Sequence, residues 1–302
     1  MMAAAVSSGV KSGKMKKGEK LKKQSRFLTL MKRLFRNKGA LAGVIVMILL
    51  LLATIFGPML SPYNYAQLDP FNMFATPSAQ HLFGCDEFGR DILTRVMYGG
   101  RYSLFIGLFA IALALVCGVT LGSIAGYFGG KVDNIIMRVM DVIQAIPGML
   151  LSIAISSVLG TGMVEMAIAL GVGNIAPFTR ILRGSILTVR KSEYVDAAIV
   201  DNTSKFGIIK KHILPNAISP IIVQATLGCA NAILIASSLS FIGVGIQPPE
   251  PEWGAMLSAG RDYIRDYPHM LIFPGIAIAL TVLSLNLFGD GLRDAMDPKL
   301  KK

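Results

Sequence analysis

Five stretches of this chain, residues 39–68, 102–130, 142–164, 212–249 and 267–289, contain no Lys, Arg, Asp or Glu. Each exceeds the ~20 residues a helix needs to cross the hydrocarbon core of a bilayer. A soluble domain has no use for five such runs. Only 16% of the 302 residues are charged while 53% are apolar, which also points to a polytopic membrane protein. A weaker run, 162–181, carries Glu165 and Arg180 near its ends. The expectation is an all-α chain with six transmembrane helices, near 39–60, 102–127, 138–159, 162–181, 218–246 and 270–290.

With six spans both termini share a side. That side collects 25 of the 30 basic and 9 of the 18 acidic residues, net +16, against −4 on the other. Lys/Arg excess marks the cytoplasmic face, so both termini are expected inside and the charge of +12 requires no nucleic acid. The resulting organisation is a basic tail at 1–38, a first span with an extracytoplasmic loop at 39–101, a core at 102–293, and a short tail at 294–302. The core contains a cytoplasmic loop at 184–217. The tail, KSGKMKKGEKLKKQSRF, reads as a solvated topology signal. Anionic lipid or RNA is the less economical partner, and the segment lacks the features of a cleaved signal peptide.

Polar residues inside or near spans are the candidates for a transport path. Asp141 and Gln144 lie near the inner end of the third span, where Pro147–Gly148 should kink it, and an inner-surface salt bridge is the plainer role for Asp141. The fifth span carries Gln224, Asn231, Ser237 and Ser238, of which Gln224 and Asn231 are the better pore-lining choices. Gly118, Gly122 and Gly126 recur every four residues, a device for close helix packing. On the outer side, Ile92, Val96 and Tyr98 suggest a short surface helix anchored by Arg90, Arg95 and Arg101, and Trp253 suits the membrane interface. His81, Cys85 and His269 lack diagnostic metal-ligand spacing, so no metal site is assigned.

The segment EYVDAAIVDNTSKFGIIKKHILP, Glu193 to Pro215, is polar and helix-prone between two apolar runs. Val195, Ala198 and Ile199 make an apolar stripe at helical spacing. Asn202 suits a left-handed residue ending that helix, and Thr203 or Ser204 can cap a second helix in which Phe206, Ile209 and Ile213 share a face. Exposed stripes of this kind imply a partner groove; packing on the chain's own inner surface is the alternative.

The pattern Asp196-Ala197-Ala198, Asn202, His212, Leu214-Pro215 resembles the EAA loop of permease subunits in bacterial ABC importers. FGCDEFGRDILTRVMYGGRYSL, LSFIGVGIQPPEPEWGAML and FPGIAIALTVLSLNLFGDGLRDAMDP resemble the oligopeptide/dipeptide branch of that family. Together these segments run from about residue 81 to Pro298. Asn202 stands where the family usually has Gly, Asp196 replaces Glu, and Cys85 replaces a common Thr. The resemblance implies a type I importer permease fold and the second of two homologous permease subunits. It also implies two ATPase subunits holding ATP and magnesium, and an extracytoplasmic solute-binding protein. Its implied ATPase-docking residues are Asp196, Ala197, Ala198, Asn202, Phe206, His212, Leu214 and Pro215. Di- or oligopeptides are the implied cargo, with nickel chelates or another small solute as the alternative. The chain itself lacks the phosphate-cradling G-x-x-x-x-G-K-[ST], so no bound cofactor or catalytic residue is expected. An intramembrane enzyme using Asp141 or Ser238 lacks any partnered dyad; a passive channel is the third reading, which uptake surviving loss of the ATPase would favour.

Overall fold

The computed structural model describes residues 26–296; most of the basic tail, 1–25, and residues 297–302 lie outside the described residues. The helices in order are α1 (Arg26–Leu34), α2 (Lys38–Leu60), α3 (Ile92–Phe128), α4 (Gly130–Ala145), α5 (Gly148–Leu159) and α6 (Met163–Val189). Then follow α7 (Glu193–Val200), α8 (Lys205–Ile208), α9 (Leu214–Ala217), α10 (Ser219–Phe241), α11 (Trp253–Gly260) and α12 (His269–Met296). Among the described residues the remainder is turns, short 3₁₀ segments, a π-helical segment at Ile209–Ile213 and one isolated bridge between Cys85 and Asp91.

Four helices, α2, α3, α10 and α12, are long and apolar enough to cross a membrane. The span expected at 138–159, with its kink at Pro147–Gly148, is two helices, α4 and α5, bent by 89°. The residue before a proline is driven out of the helical region, and Ile146, before Pro147, sits at ψ 127°. Helix α6 covers the expected 162–181 and runs on to Val189, but its charged residues keep it outside the set apolar enough to span. The short surface helix expected near residue 92 is not separate. It is the first turns of α3, which continues unbroken for 37 residues.

Helix α3 packs along α6 through the glycine row. A Cβ at Gly122 would stand 2.8 Å from the Thr179 carbonyl oxygen, so only glycine permits this approach. Ile106, Ala110, Ala114, Phe178, Leu182 and Ile186 complete the core between the two helices.

A second core closes the other end. Trp253, expected at the interface, is 1% exposed, packs with Ile92, Met256 and Met270, and donates from Nε1 to the Val96 carbonyl at 2.8 Å. The indole is enclosed because Gly100 leaves a space on α3 into which it fits: a Cβ there would lie 2.9 Å from it. The arginines of this end do anchor, and their partners are protein groups. Arg90 and Arg95 converge on Asp86, at 2.6 and 3.5 Å, and Arg101 donates to the Thr54 and Ile55 carbonyls of α2.

Candidate coupling surface and translocation path

The insert is a rigid elbow built by local chemistry. Helix α7 ends in a Schellman arrangement: Asn202 stands at φ 56°, its N–H donates to the Ile199 carbonyl, and Thr203 N–H donates to the Ala198 carbonyl, both at 3.1 Å. Asn tolerates the left-handed region better than other non-glycine residues, so the turn survives without glycine. Ser204 then caps α8, its hydroxyl accepting from Gly207 N–H at 3.2 Å. The chain next relaxes into the π-helical segment, where Leu214 N–H donates back to the Ile209 carbonyl. Pro215, which has no N–H, follows, and the Asn216 side chain donates to the His212 carbonyl at 2.7 Å.

This geometry corrects which residues face outward. Val195 and Ala198 are buried in the same core as Ile186 and Leu182, so most of the α7 stripe covers the chain's own helices. Helix α7 rests against α8 and the π-helical segment, and Tyr127 and Val189, at the ends of α3 and α6, pack on the same core. Phe206 and Ile213 do not share a face either: Phe206 is exposed and Ile213 is fully buried. The π-helical spacing rotates the register, and Ile208 and Ile213, five apart, become the inward pair. The outward surface carries Tyr194, Asp196, Ala197, Ile199, Val200, Asn202, Phe206 and Pro215, with His212 and Leu214 half-buried at its edge. Tyr194 and Val200 were not among the residues singled out from sequence, although both lie within the same helix; Ile199 was, and it alone of its stripe faces outward.

The polar residues of α10 separate into two groups. Gln224, Asn231 and Ser238 recur every seven residues and so share one helix face over ~21 Å of rise. Gln224 lines a cleft of about 630 Å³ with Asn216, Ser219 and Arg293 at one end. Ser238 lines a mostly apolar groove of about 390 Å³ with Met149, Leu257 and Ile278 at the other. Asn231, between them, is exposed. Ser237 borders the same groove but is 4% exposed, and its hydroxyl donates to Glu252 Oε1 at 3.5 Å.

Asp141 pairs through Oδ1 with Arg180 of α6 at 2.5 Å while about half of its side chain stays exposed; Gln144 is exposed one turn before the break at Pro147. Three residues from Arg180, Arg183 makes a two-pronged bond to Asp133 with both N···O distances 2.5 Å. The two pairs tie α4 to α6, whose last turn leads into the insert.

Sequence reasoning missed the carboxylate of Glu252. It is fully buried, caps α11 by accepting from Ala255 N–H at 2.9 Å, and accepts from Ser103 of α3 at 3.0 Å. Its position between Pro251 and the apolar run WGAML, which suits a helix N-cap, was the available signal. Beside it the Tyr102 hydroxyl donates to Glu250. His81 bonds Asp91 through Nδ1 at 3.0 Å, while His269 Nε2 lies 3.3 Å from the Cys85 carbonyl. No cluster of three metal-ligating side chains occurs among the described residues. Burial, then Asp91 and Asp86, push the Cys85 thiol up to about 12, so it is an inert thiol at neutral pH.

Comparison with known proteins agrees with the helical layout. Residues 118–302 match the family described as binding-protein-dependent transport system inner membrane component, and residues 25–77 match the N-terminal transmembrane domain of oligopeptide transport permease C. The chain is 47% identical over 270 residues to a dipeptide transport system permease protein of Alkalihalophilus pseudofirmus, covering 89% of each chain. It is 41% identical to a di/tripeptide transport system permease protein of Pseudomonas aeruginosa, covering 88% of this chain and 89% of that one. It is 42% identical to a glutathione transport system permease protein of Pectobacterium atrosepticum, covering 89% and 90%.

Proposed function

We propose a peptide-importing role from one premise: this chain belongs to the family of binding-protein-dependent transport system inner membrane components. It is a multi-pass permease of the inner membrane. The finer reading is that it imports di- or oligopeptides, in keeping with the dipeptide and di/tripeptide permeases it resembles. A solute-binding protein delivers the peptide outside, a second homologous permease completes the pathway, and two ATPase subunits hold ATP and magnesium. The bent α4–α5 pair and α6 bring the spans to six, with both termini inside, as the Lys/Arg distribution supports.

The observation that carries the reading is the elbow. Val195, Ala198, Ile208 and Ile213 root it in the core of α3 and α6, while Val200 and Phe206 stand 88% and 73% exposed. A surface that is apolar outward and immobile inward suits a partner's groove. Closure of the ATPases then moves α7 and α8 as one body, and α6 and α10, which bracket them, carry the displacement into the membrane. The α10 stripe of Gln224, Asn231 and Ser238 offers the passing peptide hydrogen-bonding groups.

The test is uptake of a radiolabelled dipeptide into proteoliposomes holding this chain with its permease, ATPase and binding-protein partners. ATP-dependent accumulation that requires the binding protein supports the reading. Uptake that continues without ATP makes it a passive channel, and accumulation of a nickel chelate in place of any peptide overturns the cargo.

A further inference from the structure

We propose that α1 and the turn joining it to α2 form a docking surface for anionic phospholipid headgroups. Helix α1 is strongly two-sided. Leu30, Met31 and Leu34 turn inward and pack on Leu292, Ala295 and Met296 at the end of α12, with Leu34 only 3% exposed. That contact holds α1 against the end of the helical bundle. Four cations, Lys32, Arg33, Arg36 and Lys38, fall within the seven residues at and beyond its C-terminal end. Lys32, Arg36 and Lys38 are exposed and Arg33 is half-buried.

Among the described residues these charges lack a protein counterpart. None of the four makes an ion pair there, and Asp294, on the segment of α12 beside them, is engaged by Asn37 Nδ2 at 3.2 Å. The dipole of α1 accounts for Lys32 and Arg33, which lie in its last turn. It does not account for Arg36 and Lys38. Lys38 begins α2, where the helix dipole favours an anion over a cation.

Depth fixes the kind of anion. Helix α2 is apolar from Gly39 onward and long enough to cross the bilayer, so Lys38 marks the hydrocarbon boundary and the other three cations lie at headgroup level. Within three residues of Lys38 the lipid-compatible surface begins: Leu41, Ile45, Ile48 and Leu49 are 37–59% exposed. Phe35, 51% exposed, flanks the cations on the same turn. One diacyl anionic lipid can therefore place its phosphate among the cations and its chains along α2. The proposal does not depend on the peptide cargo or on which side α1 faces.

The experiment uses the whole transporter in lipid nanodiscs doped with spin-labelled phosphatidylglycerol or phosphatidylcholine. Electron paramagnetic resonance gives the fraction of each lipid immobilised on the protein. The expected result is a preference of about fivefold or more for phosphatidylglycerol that falls with added salt. It should drop towards parity when Lys32, Arg33, Arg36 and Lys38 are all replaced by Gln, and survive an excess of inorganic phosphate. Equal immobilisation of the two lipids, or a preference unchanged by the four substitutions, overturns the proposal. Loss of the preference to inorganic phosphate makes the surface a free-phosphate site and overturns lipid docking. Should the fourfold variant not assemble, the salt titration of the unaltered chain decides: a preference indifferent to salt rejects the surface.

Discussion

Arg101 Nε donates to the Thr54 carbonyl at 3.1 Å, and that carbonyl is the one Pro58 leaves without its helical donor. A proline inside a helix removes the bond to the residue four before it. In a membrane such an orphan acceptor must be satisfied by protein. Arg101 of α3 does this, and its other arm reaches the next carbonyl, Ile55, at 3.0 Å. The proline and the arginine are thus two halves of one arrangement that fastens α2 to α3.

Replacing Arg101 by Leu should therefore lower the melting temperature of the detergent-solubilised protein, with a cost of about 1.5–3 kcal/mol for a charged hydrogen bond. Placing the same change in a Pro58→Ala background should cost less, because the substituted alanine returns an N–H to the Thr54 carbonyl. A double-mutant cycle with coupling above about 0.5 kcal/mol confirms the link, and additive effects reject it.

The turn at Asn202 predicts a graded series. Asn202→Gly keeps the left-handed residue and should leave stability equal or raise it by up to ~1 kcal/mol. Asn202→Val should destabilise the elbow by about 1–3 kcal/mol, because a β-branched side chain opposes φ 56°. Protease sensitivity within 193–215 and dipeptide uptake give the readouts. Uptake that is normal in the Val variant would show that elbow geometry is not what couples.

Ala198 and Val200 separate rooting from docking. Ala198→Leu overfills a buried site and should cost about 1–3 kcal/mol of stability. Val200→Asp changes an 88%-exposed side chain, so melting should stay within about 0.5 kcal/mol of the parent while co-purification of the ATPases is lost. If Val200→Asp retains its ATPases, the outward face of α7 is not the contact.

Much of this was legible because the physics involved is local. Charge-free runs mark α2, α3, α10 and α12 since a bilayer imposes both length and composition. Pro147 announces the break after α4, and Asn202 announces the turn after α7. The seven-residue spacing of Gln224, Asn231 and Ser238 was likewise present in the chain. What was not legible depends on distant neighbours. Trp253 is buried because Gly99 and Gly100, far away in sequence, leave room for it. Val195 and Ala198 face inward because the elbow folds α8 and the π-helical segment against α7, joining the core of α3 and α6. Ser237 is buried and bonded where Ser238 is not because Glu252 folds back onto α10. Periodicity finds a stripe but does not say what covers it.

The paired bridges between α4 and α6 should differ in weight. The two-pronged Asp133–Arg183 pair, with the Asp side chain 12% exposed, should cost about 1–3 kcal/mol on Asp133→Asn. Asp141–Arg180 is about half-exposed in the chain, and Asp141→Asn should cost no more than about 1 kcal/mol. Exchanging the charges, Asp133→Arg with Arg183→Asp, should recover part of the first loss. Equal effects at both pairs, measured by melting in detergent, would mean that burial does not set their strength.

Glu87 gives the segment between α2 and α3 a pH dependence of defined sign. Its Oε2 is buried without a hydrogen-bond partner among the described residues. Its carboxyl is held above the usual range first by burial and then by Asp86, with Arg90 and Arg95 pulling the other way. A carboxyl raised in the folded state binds its proton more readily folded than unfolded. Its contribution to stability is therefore fully present below the unfolded value of about 4.3 and is lost as pH rises through the higher folded value. Asp69, lowered chiefly by its bond from Asn72, acts in the opposite sense and loses its contribution as pH falls. The difference between the parent and Glu87→Gln isolates Glu87 from Asp69, which both share. Melting in detergent from pH 4 to pH 8 should show Glu87→Gln gaining on the parent steadily as pH rises through the carboxylate range, and holding that gain at neutral pH. A difference that is flat with pH would mean that Glu87 is solvated and carries its charge at no cost, and the orphan oxygen would have lost its meaning.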